Sequence, residues 1–318
     1  MEEDDVRVPV YLVNGFLEGG KTSFLRFTVA QEYFDIDEPT LLILCEEGEE
    51  EYDLRELADH DTRLEIVEDQ EHFNEGFLQK LEEIYQPGRV LIEYNGMWQT
   101  GQLHQMELPE GWEIVQQITT IDASTCQVYM NNMKSLFMDM VRDSELVIFN
   151  RCTPELPLAS FRRNIKAVNQ RSEIIFEDEK GELDNIFEEE MPFDLDAPVV
   201  DIPLEDYGIW YLDALEHTDR YLGKTLRFRA QVMKDRRIGH GIFVPGRMAM
   251  ACCEEDTSFI GFICKSDQAE TLRNGQWITL TAKLAEEYAR AYRAKGPVLY
   301  AESIEEADPI PDDMVFFN

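Results

Sequence analysis

Short runs of apolar residues alternate with longer mixed segments along the first half of the chain. The runs predict β-strands at Val8–Val13, Leu41–Leu44, Leu64–Val67, Arg89–Glu93, Glu113–Asp122, Leu146–Asn150 and Glu173–Phe176. The segments between them predict helices at Ser23–Ala30, His72–Tyr85, Gln127–Val141 and Pro154–Asn169. Because strands and helices alternate, we expect an α/β domain with a parallel sheet covered by helices on both faces.

The pattern changes in the second half of the chain. Residues 179–206 are rich in Asp and Glu and contain spaced prolines, which is typical of a linker. A helix is then predicted over Tyr207–Glu216, and five or six short strands with one inserted helix favour a small OB-like barrel. These strands are predicted at Thr225–Val232, Gly241–Val244, Met248–Cys253, Phe259–Cys264, Trp277–Ala282 and Val298–Ser303, and the inserted helix at Gln268–Arg273. We therefore expect an α/β domain over 1–178, an acidic linker over 179–206 and a smaller, mainly β domain over 207–318.

The charge of the chain limits its partners. Its 318 residues, enough for about two domains, include 65 Asp and Glu against 29 Lys and Arg, a formal net charge of −36. This excess of negative charge argues against binding to nucleic acid or to an anionic membrane, because both bind to clusters of Lys and Arg. No apolar run reaches the ~18 residues of a membrane-spanning helix, and Met1–Asp5 is too acidic for a secretory leader. We expect a cytoplasmic protein without membrane insertion, whose cysteines are reduced.

Residues 15–22, Gly-Phe-Leu-Glu-Gly-Gly-Lys-Thr, match the phosphate-binding pattern G-x-x-x-x-G-K-[ST] between a predicted strand and a predicted helix. Gly15 and Gly20 let the backbone wrap around phosphate oxygens, and the helix N-terminus adds partial positive charge. Lys21 would contact the β- and γ-phosphates, and the Thr22 hydroxyl would ligate Mg²⁺. The pattern predicts a nucleotide site; the alternative is a glycine-rich turn that happens to carry Lys-Thr.

Two predicted strands end in carboxylates at the edge where ligands bind to such sheets. Glu93 ends the apolar strand Arg89–Glu93 in the manner of a Walker B element, where it would hold Mg²⁺ or orient the attacking water. With Lys21 it is our candidate catalytic residue. Glu46 follows Leu41–Leu44 and opens an acidic stretch that would act as a mobile switch contacting Mg²⁺. The alternatives are a surface acid for Glu93 and a disordered acidic loop after Glu46.

Three cysteines in the second half are candidate metal ligands. Cys252 and Cys253 are adjacent, and Cys264 follows on the next predicted strand. Together with His240 they would form a tetrahedral Zn²⁺ site. The spacing is not C-x-x-C, and adjacent residues of a strand point to opposite faces. Buried structural thiols are therefore the favoured alternative.

Four segments of the first half are similar to the motifs of one known class. They are Pro9–Ser23 for P-V-x-x-x-x-G-F-L-x-x-G-K-T-T, Cys45–Glu49 for N-E-x-G-E, Ile92–Gly96 for E-[ST]-[ST]-G and Asn150–Thr153 for the guanine-reading N-K-x-D. The domain thereby resembles the CobW/UreG/HypB class of P-loop GTPases, CobW-like metallochaperones in particular, over about residues 8–178. The resemblance implies binding and hydrolysis of GTP (or ATP) with Mg²⁺, and metal handling for a metal-dependent client protein. The nucleotide-binding residues are then Gly15, Glu18, Gly19, Gly20, Lys21, Thr22, Ser23 and Asn150.

Two departures from this class bear on function. The class has a C-x-C-C metal-delivery signature between the switch segment and the Walker B strand, whereas residues 46–92 contain no cysteine. A thiolate cage for a soft metal therefore cannot form there. In addition, Thr153 stands where the class has the aspartate that reads guanine, which leaves the choice between GTP and ATP open.

Parts of the second half are similar to another family. The matching pieces are Tyr221–Thr225, Phe243–Met248, Cys252–Cys253, Gly261–Phe262 and Asn274–Ile278. They resemble the C-terminal domain of YcgQ-like, permease-associated bacterial proteins over about residues 207–308, which implies a permease as a partner. Two functions follow for the whole chain. One is a Mg²⁺-dependent GTPase linked to metal handling; the other is a nucleotide-sensing adaptor with little hydrolysis that docks on a permease or another protein.

Overall fold

The computed structural model describes residues 8–183, 191–235, 237–251, 256–311 and 313–317. The chain divides into two compact units, one within residues 1–186 and the other within 187–318. Among the described residues, no helix combines the length and apolar character needed to cross a bilayer.

The N-terminal unit is built on one sheet. Its strands are β1 (Val8–Asn14), β2 (Thr40–Leu44), β3 (Thr62–Ile66), β4 (Arg89–Glu93), β5 (Trp112–Asp122), β6 (Leu146–Asn150), β7 (Glu173–Asp178) and β8 (Gly181–Glu182). They are hydrogen-bonded in the order β3-β2-β4-β1-β5-β6-β7-β8. Every pair is parallel except the last, in which β8 runs antiparallel to β7. The first strand of the chain therefore lies in the middle of the sheet, between β4 and β5.

Helices cover both faces of this sheet. They are α1 (Lys21–Val29), α2 (Leu54–Asp59), α3 (Glu75–Tyr85), α4 (Thr100–Gln105), α5 (Ala123–Asn132), α6 (Lys134–Arg142) and α7 (Leu158–Val168), with a short 3₁₀ turn at Glu32–Phe34. Successive residues of β1 face opposite layers. Val10 and Leu12 pack in one core with Leu78 of α3, whereas Val13 packs in the other with Leu25 of α1. The predicted parallel sheet with helices on both faces is confirmed.

The helices differ from the sequence prediction in two respects. The predicted helix Gln127–Val141 is two helices, because Met133 lies between α5 and α6 with φ −136° and ψ 36°, outside the helical range. The apolar pattern continues through this break, and Asn131 and Asn132 are weak helix formers that give a local sign of it. The short helices α2 and α4 were not predicted. Helix α2 ends the acidic stretch that follows β2, and the Asp53 side chain caps it.

The C-terminal unit contains a closed barrel. Its elements are β9 (Val200–Asp201), α8 (Tyr207–Glu216), β10 (Thr225–Met233), β11 (Ile242–Met250), β12 (Thr257–Gly261), β13 (Ile263–Lys265), β14 (Trp277–Ala289) and β15 (Ala294–Glu306), with 3₁₀ turns at Thr218–Tyr221 and Ala269–Thr271. The ring runs β11-β13-β15-β14-β10 and closes through a second pairing of β10 with β11. A five-stranded closed barrel with α8 beside it confirms the predicted OB-like fold.

Aromatic residues form the core of the barrel unit. The Trp210 ring of α8 is fully buried and lies 4.7 Å from Phe228 of β10 and 5.4 Å from Phe262, measured between ring centroids. Tyr207, one turn earlier on α8, packs edge-to-face on Trp210 and Phe228. Helix α8 thus supplies two of the large aromatic side chains in the core of this unit.

Two strand boundaries of the barrel were predicted wrongly. One strand, β11 (Ile242–Met250), spans most of the predicted strand Gly241–Val244 and the start of the predicted strand Met248–Cys253, and Pro245 between them pairs with β10 at the barrel closure. A Cβ added to the next residue, Gly246, would lie 2.3 Å from a carbonyl oxygen of β12, so this glycine lets two strands approach closely. The hairpin β14–β15 also extends far past its predicted ends, through residues 283–297, in which charged and apolar residues are mixed.

Candidate nucleotide-binding site

The glycine-rich loop connects β1 to α1, and contacts with neighbouring backbone fix its course. Gly15 has φ 142°, and an added Cβ would lie 2.3 Å from the carbonyl oxygen of Thr120. Gly20 has φ 95°, and its Cβ would lie 2.6 Å from the side-chain amide nitrogen of Asn150. Both positions therefore require glycine.

The N-terminus of α1 presents free backbone amides. Within the described ranges, no acceptor lies against the N–H groups of Gly20, Lys21, Thr22 or Ser23. The first helical hydrogen bond here runs from Phe24 N to Gly20 O. Unpaired N–H groups at the positive end of a helix form a site for an anion. These amides lie where the sequence analysis predicted a phosphate-binding loop.

Lys21 is almost fully buried beside these amides, and all three of its protons are used. Its Nζ donates to the carbonyl oxygens of Gly15 at 2.9 Å and Phe16 at 3.1 Å, and to Glu46 Oε2 at 2.8 Å. An ammonium group has three donors and no acceptor. Any further anion must therefore replace one of these partners.

Glu93, at the end of β4, reaches the same place and is 2% exposed. Thr22 Oγ1 donates to its Oε1 at 2.8 Å, and Tyr52 OH donates to its Oε2 at 2.5 Å. Burial raises the pKa of the Glu93 carboxyl, and the hydrogen bonds from Tyr52 and Thr22 and the charge of Lys21 oppose this rise. The structure thus brings three predicted site residues together and adds Tyr52, which the sequence analysis missed.

Residues 45–53 between β2 and α2, which we call the acidic segment, lie against the loop. Besides the Glu46–Lys21 ion pair, the Ser23 hydroxyl donates to Glu50 Oε2 at 2.6 Å. The backbone N–H of Glu49 donates to Glu18 Oε1 at 2.9 Å. Several contacts therefore hold the segment against the glycine-rich loop.

The end of β6 forms the other wall of the site. Asn150 Nδ2 donates to Gly19 O at 2.8 Å, and its Oδ1 is buried with no hydrogen-bond partner among the described residues. Arg151, with φ 53°, donates from Nη1 to Glu18 O at 2.9 Å and to Asp122 Oδ2 at 2.6 Å. Burial acts to raise the pKa of Asp122, but hydrogen bonds from Ser124 and Arg151 hold it below its usual range. Arg151 and Asp122 brace the loop and were not predicted as site residues.

A pocket opens between these elements. Its lining includes two cations, Lys21 and Arg151, and four carboxylates, Glu18, Glu46, Glu50 and Glu93. A bare phosphate chain would meet more negative than positive charge here. A divalent cation that entered with the chain would reverse this balance.

The predicted Zn²⁺ site has no test in this structure. Cys252 and Cys253 lie outside the described residues. Cys264, in β13, is fully buried, and burial raises the pKa of its thiol to about 12. The His240 side chain is exposed and lies 3.4 Å from Glu270. Across the described ranges, no three His, Cys, Asp or Glu side chains are grouped as metal ligands would be.

A parallel sheet whose central strand leads through a glycine-rich loop into a helix is the fold of P-loop NTPases, and the N-terminal unit has this fold. Residues 179–317, which include the barrel, match the protein family described as the DUF1980 C-terminal domain. No curated protein sequence matches the chain.

Three solved structures illustrate the likeness to known folds. The Zn(II)-bound YjiA GTPase from E. coli is 17% identical with a TM-score of 0.43, over 80% of this chain and 88% of that one. A Zn(II)-bound triple mutant of YjiA is 20% identical with a TM-score of 0.43, over 56% of this chain and 59% of that one. The hydrogenase maturation factor HypB from Archaeoglobus fulgidus is 15% identical with a TM-score of 0.40, over 55% and 83%.

YjiA and HypB are CobW-class P-loop GTPases. The match of residues 179–317 agrees with the prediction that the C-terminal half belongs to a family of its own. At such TM-scores, the activity of this chain is to be inferred from the contacts of its own site.

Proposed function

We propose that the N-terminal unit binds a nucleoside triphosphate together with Mg²⁺. The observation that carries this proposal is the row of unpaired backbone amides from Gly20 to Ser23 beside the buried Lys21. Unpaired N–H groups at the positive end of a helix favour an anion, and phosphate oxygens are suitable partners for them. A chance glycine-rich turn has no need of this arrangement.

The donor set also fits Mg²⁺. This ion prefers oxygen ligands and keeps several of its waters, so one hydroxyl and one carboxylate suffice from the protein. Thr22 and Glu93 are already in contact and would supply them, directly or through water. When bound, Mg²⁺ neutralises phosphate charge. Lys21 and the loop amides would hold the phosphate chain. Glu46 could act as the predicted Mg²⁺ ligand only after leaving Lys21, with which it is now paired.

We expect hydrolysis to be slow. A residue that orients the attacking water needs a free acceptor. Each oxygen of Glu93 already accepts one hydrogen bond, from Thr22 or Tyr52, so fewer of its lone pairs remain for a water molecule than in an unbound carboxylate. Slow turnover favours a protein whose nucleotide state is sensed by a partner over one whose main output is phosphate. GTPase activity linked to metal handling remains the other proposal, and Cys252 and Cys253 would then be its candidate cargo ligands.

The first test is a titration of the purified chain with GTP and ATP, with Mg²⁺ or with EDTA. We expect binding that requires Mg²⁺ and phosphate release that is slow even when the site is saturated. Rapid release by the isolated chain would support the GTPase over the adaptor. Absence of binding to either nucleotide would contradict the proposal.

Thr22→Val should weaken Mg²⁺-dependent nucleotide binding by about tenfold or more, because it removes the hydroxyl that contacts Glu93 while keeping the shape of the side chain. Thr28→Val is the matched control, since Thr28 lies on the same helix and its hydroxyl bonds only to Phe24 O. Both dissociation constants can be measured by calorimetry. If the two variants changed the dissociation constant equally, the Thr22 hydroxyl would not be a Mg²⁺ ligand.

Discrimination between GTP and ATP should be weak. Asn150 already donates to Gly19 O, and Thr153 has no carboxylate to accept the N–H groups of guanine. A polar partner for those groups is what gives strong base selectivity. We therefore expect dissociation constants within about tenfold of each other, and Thr153→Asp should shift the ratio toward GTP. An unchanged ratio in that variant would show that the base lies elsewhere.

A further inference from the structure

The contacts of Lys21 divide into two kinds. Two of its three acceptors are carbonyl oxygens of the loop itself, from Gly15 and Phe16. They shape the loop and belong to the same backbone turn. The third, Glu46, is a side chain from a different connection, after β2. Of the three, Glu46 is the partner that can leave without unfolding the loop.

Glu46 offers Lys21 the same kind of partner as a phosphate group would. Its carboxylate is an anion with oxygen acceptors, and it lies 2.8 Å from Lys21 Nζ. The exposed fractions of the two side chains are 3% for Lys21 and 13% for Glu46, so water screens this pair far less than a surface pair. Since the lysine has no fourth proton, Glu46 and a phosphate oxygen compete for the same donor.

The rest of the acidic segment reinforces this competition. Glu50 accepts from Ser23 on the first turn of α1, and Glu49 N donates to Glu18 within the loop. Tyr52 occupies one oxygen of Glu93. The segment thus contacts the phosphate-binding residues and the candidate Mg²⁺ ligand in a single arrangement.

We propose that Glu46 is an internal competitor for the phosphate site: the acidic segment closes the empty site through the Glu46–Lys21 ion pair and must leave Lys21 when a nucleotide binds. This inference rests on the proposed nucleotide binding and adds its regulation. The closed state lowers the apparent affinity in proportion to its population. It also favours nucleotide release, because Glu46 returns to Lys21 as the phosphate leaves.

The test uses the full chain with Glu46→Gln and, as a matched control, Glu47→Gln. Glu47 is adjacent and exposed, and no contact of its side chain is present in the described structure. Glu46→Gln should bind Mg²⁺–GTP about tenfold more tightly and release it more slowly, which corresponds to a site closed about nine-tenths of the time. Glu47→Gln makes the same change in net charge and should leave both quantities within about twofold.

A second readout needs no nucleotide. In the empty protein, Glu46→Gln should speed hydrogen exchange of the amides of residues 45–53, whereas Glu47→Gln should not. Equal exchange in Glu46→Gln and wild type would overturn the proposal even if no nucleotide binds at all. If Glu46→Gln bound Mg²⁺–GTP no more tightly than wild type, the proposal would also be overturned. If binding by Glu46→Gln falls while Mg²⁺ dependence is lost, Glu46 is a metal ligand and the nucleotide proposal stands without the competitor.

Discussion

Lys21→Ala is expected to abolish measurable nucleotide binding, with a loss of about a hundredfold or more in affinity. The ammonium group is the only cation held within the loop, and it lies beside the unpaired amides of α1. A phosphate chain bound without it would face four carboxylates and the single remaining cation, Arg151. The measurement is the same calorimetric titration with Mg²⁺–GTP and Mg²⁺–ATP.

Lys80→Ala is the control for this variant. Lys80 lies on α3 with an exposed side chain, so its loss changes the net charge equally without touching the site. Lys21→Ala also leaves the mostly buried carboxylate of Glu46 without its ion-pair partner, which can destabilise the fold. Thermal unfolding should therefore be measured for both variants. If a folded Lys21→Ala protein bound nucleotide as wild type does, the loop would not be the phosphate site.

Gly96→Ala is expected to have the second largest effect, on both stability and binding. A Cβ at this position would lie 2.4 Å from the carbonyl oxygen of Gly15 and 2.8 Å from the Cα of Phe16. Both are backbone atoms of the loop, so the loop itself must move. We expect a loss of about 1–3 kcal/mol in the free energy of unfolding and about a tenfold loss of nucleotide affinity because the amides are displaced.

Gly101→Ala is the matched control. Gly101 lies only a few residues later, in α4, and a Cβ there would meet nothing within 4 Å. Alanine is the better helix former, so this variant should gain about 0.5–1 kcal/mol. Unfolding in urea should be monitored by hydrogen exchange of the β1 and β4 amides, because this signal reports the stability of the N-terminal unit and not that of the barrel. Similar changes in the two variants would mean that the close approach of Gly96 to the loop is unimportant.

The strands of the N-terminal unit were predictable because the sheet is covered on both faces. Strands β2 and β4 are buried at every residue, so each contains an uninterrupted apolar run with polar residues at one or both ends, which is visible in the sequence. The long hairpin of the barrel has no such signal. Beyond Ala282, β14 mixes charged residues with the buried Leu284 and Ala289, so its apolar pattern is interrupted although its backbone pairing with β15 continues.

The site was predictable where a single residue type is required. Gly15, Lys21 and Thr22 have roles that few other side chains can fill, so their spacing alone located the loop. Tyr52 was missed because a tyrosine in an acidic stretch carries no motif, and its contact with Glu93 joins residues far apart in the chain. The partner of Glu46 was missed for the same reason. The sequence analysis placed Glu46 near Mg²⁺, and only the structure shows that its carboxylate forms an ion pair with Lys21.

The position of β1 has a consequence for how the N-terminal unit folds. This strand comes first in the described chain, yet its neighbours are β4 and β5, and no strand adjacent in sequence pairs with it. Closing such long loops before any pairing is gained makes folding slow, typically milliseconds to seconds for sheets with distant partners. During synthesis, the glycine-rich loop has no fixed support until β5 has left the ribosome. Until then its apolar flanks are exposed, so this interval is when we expect the unit to depend most on chaperones.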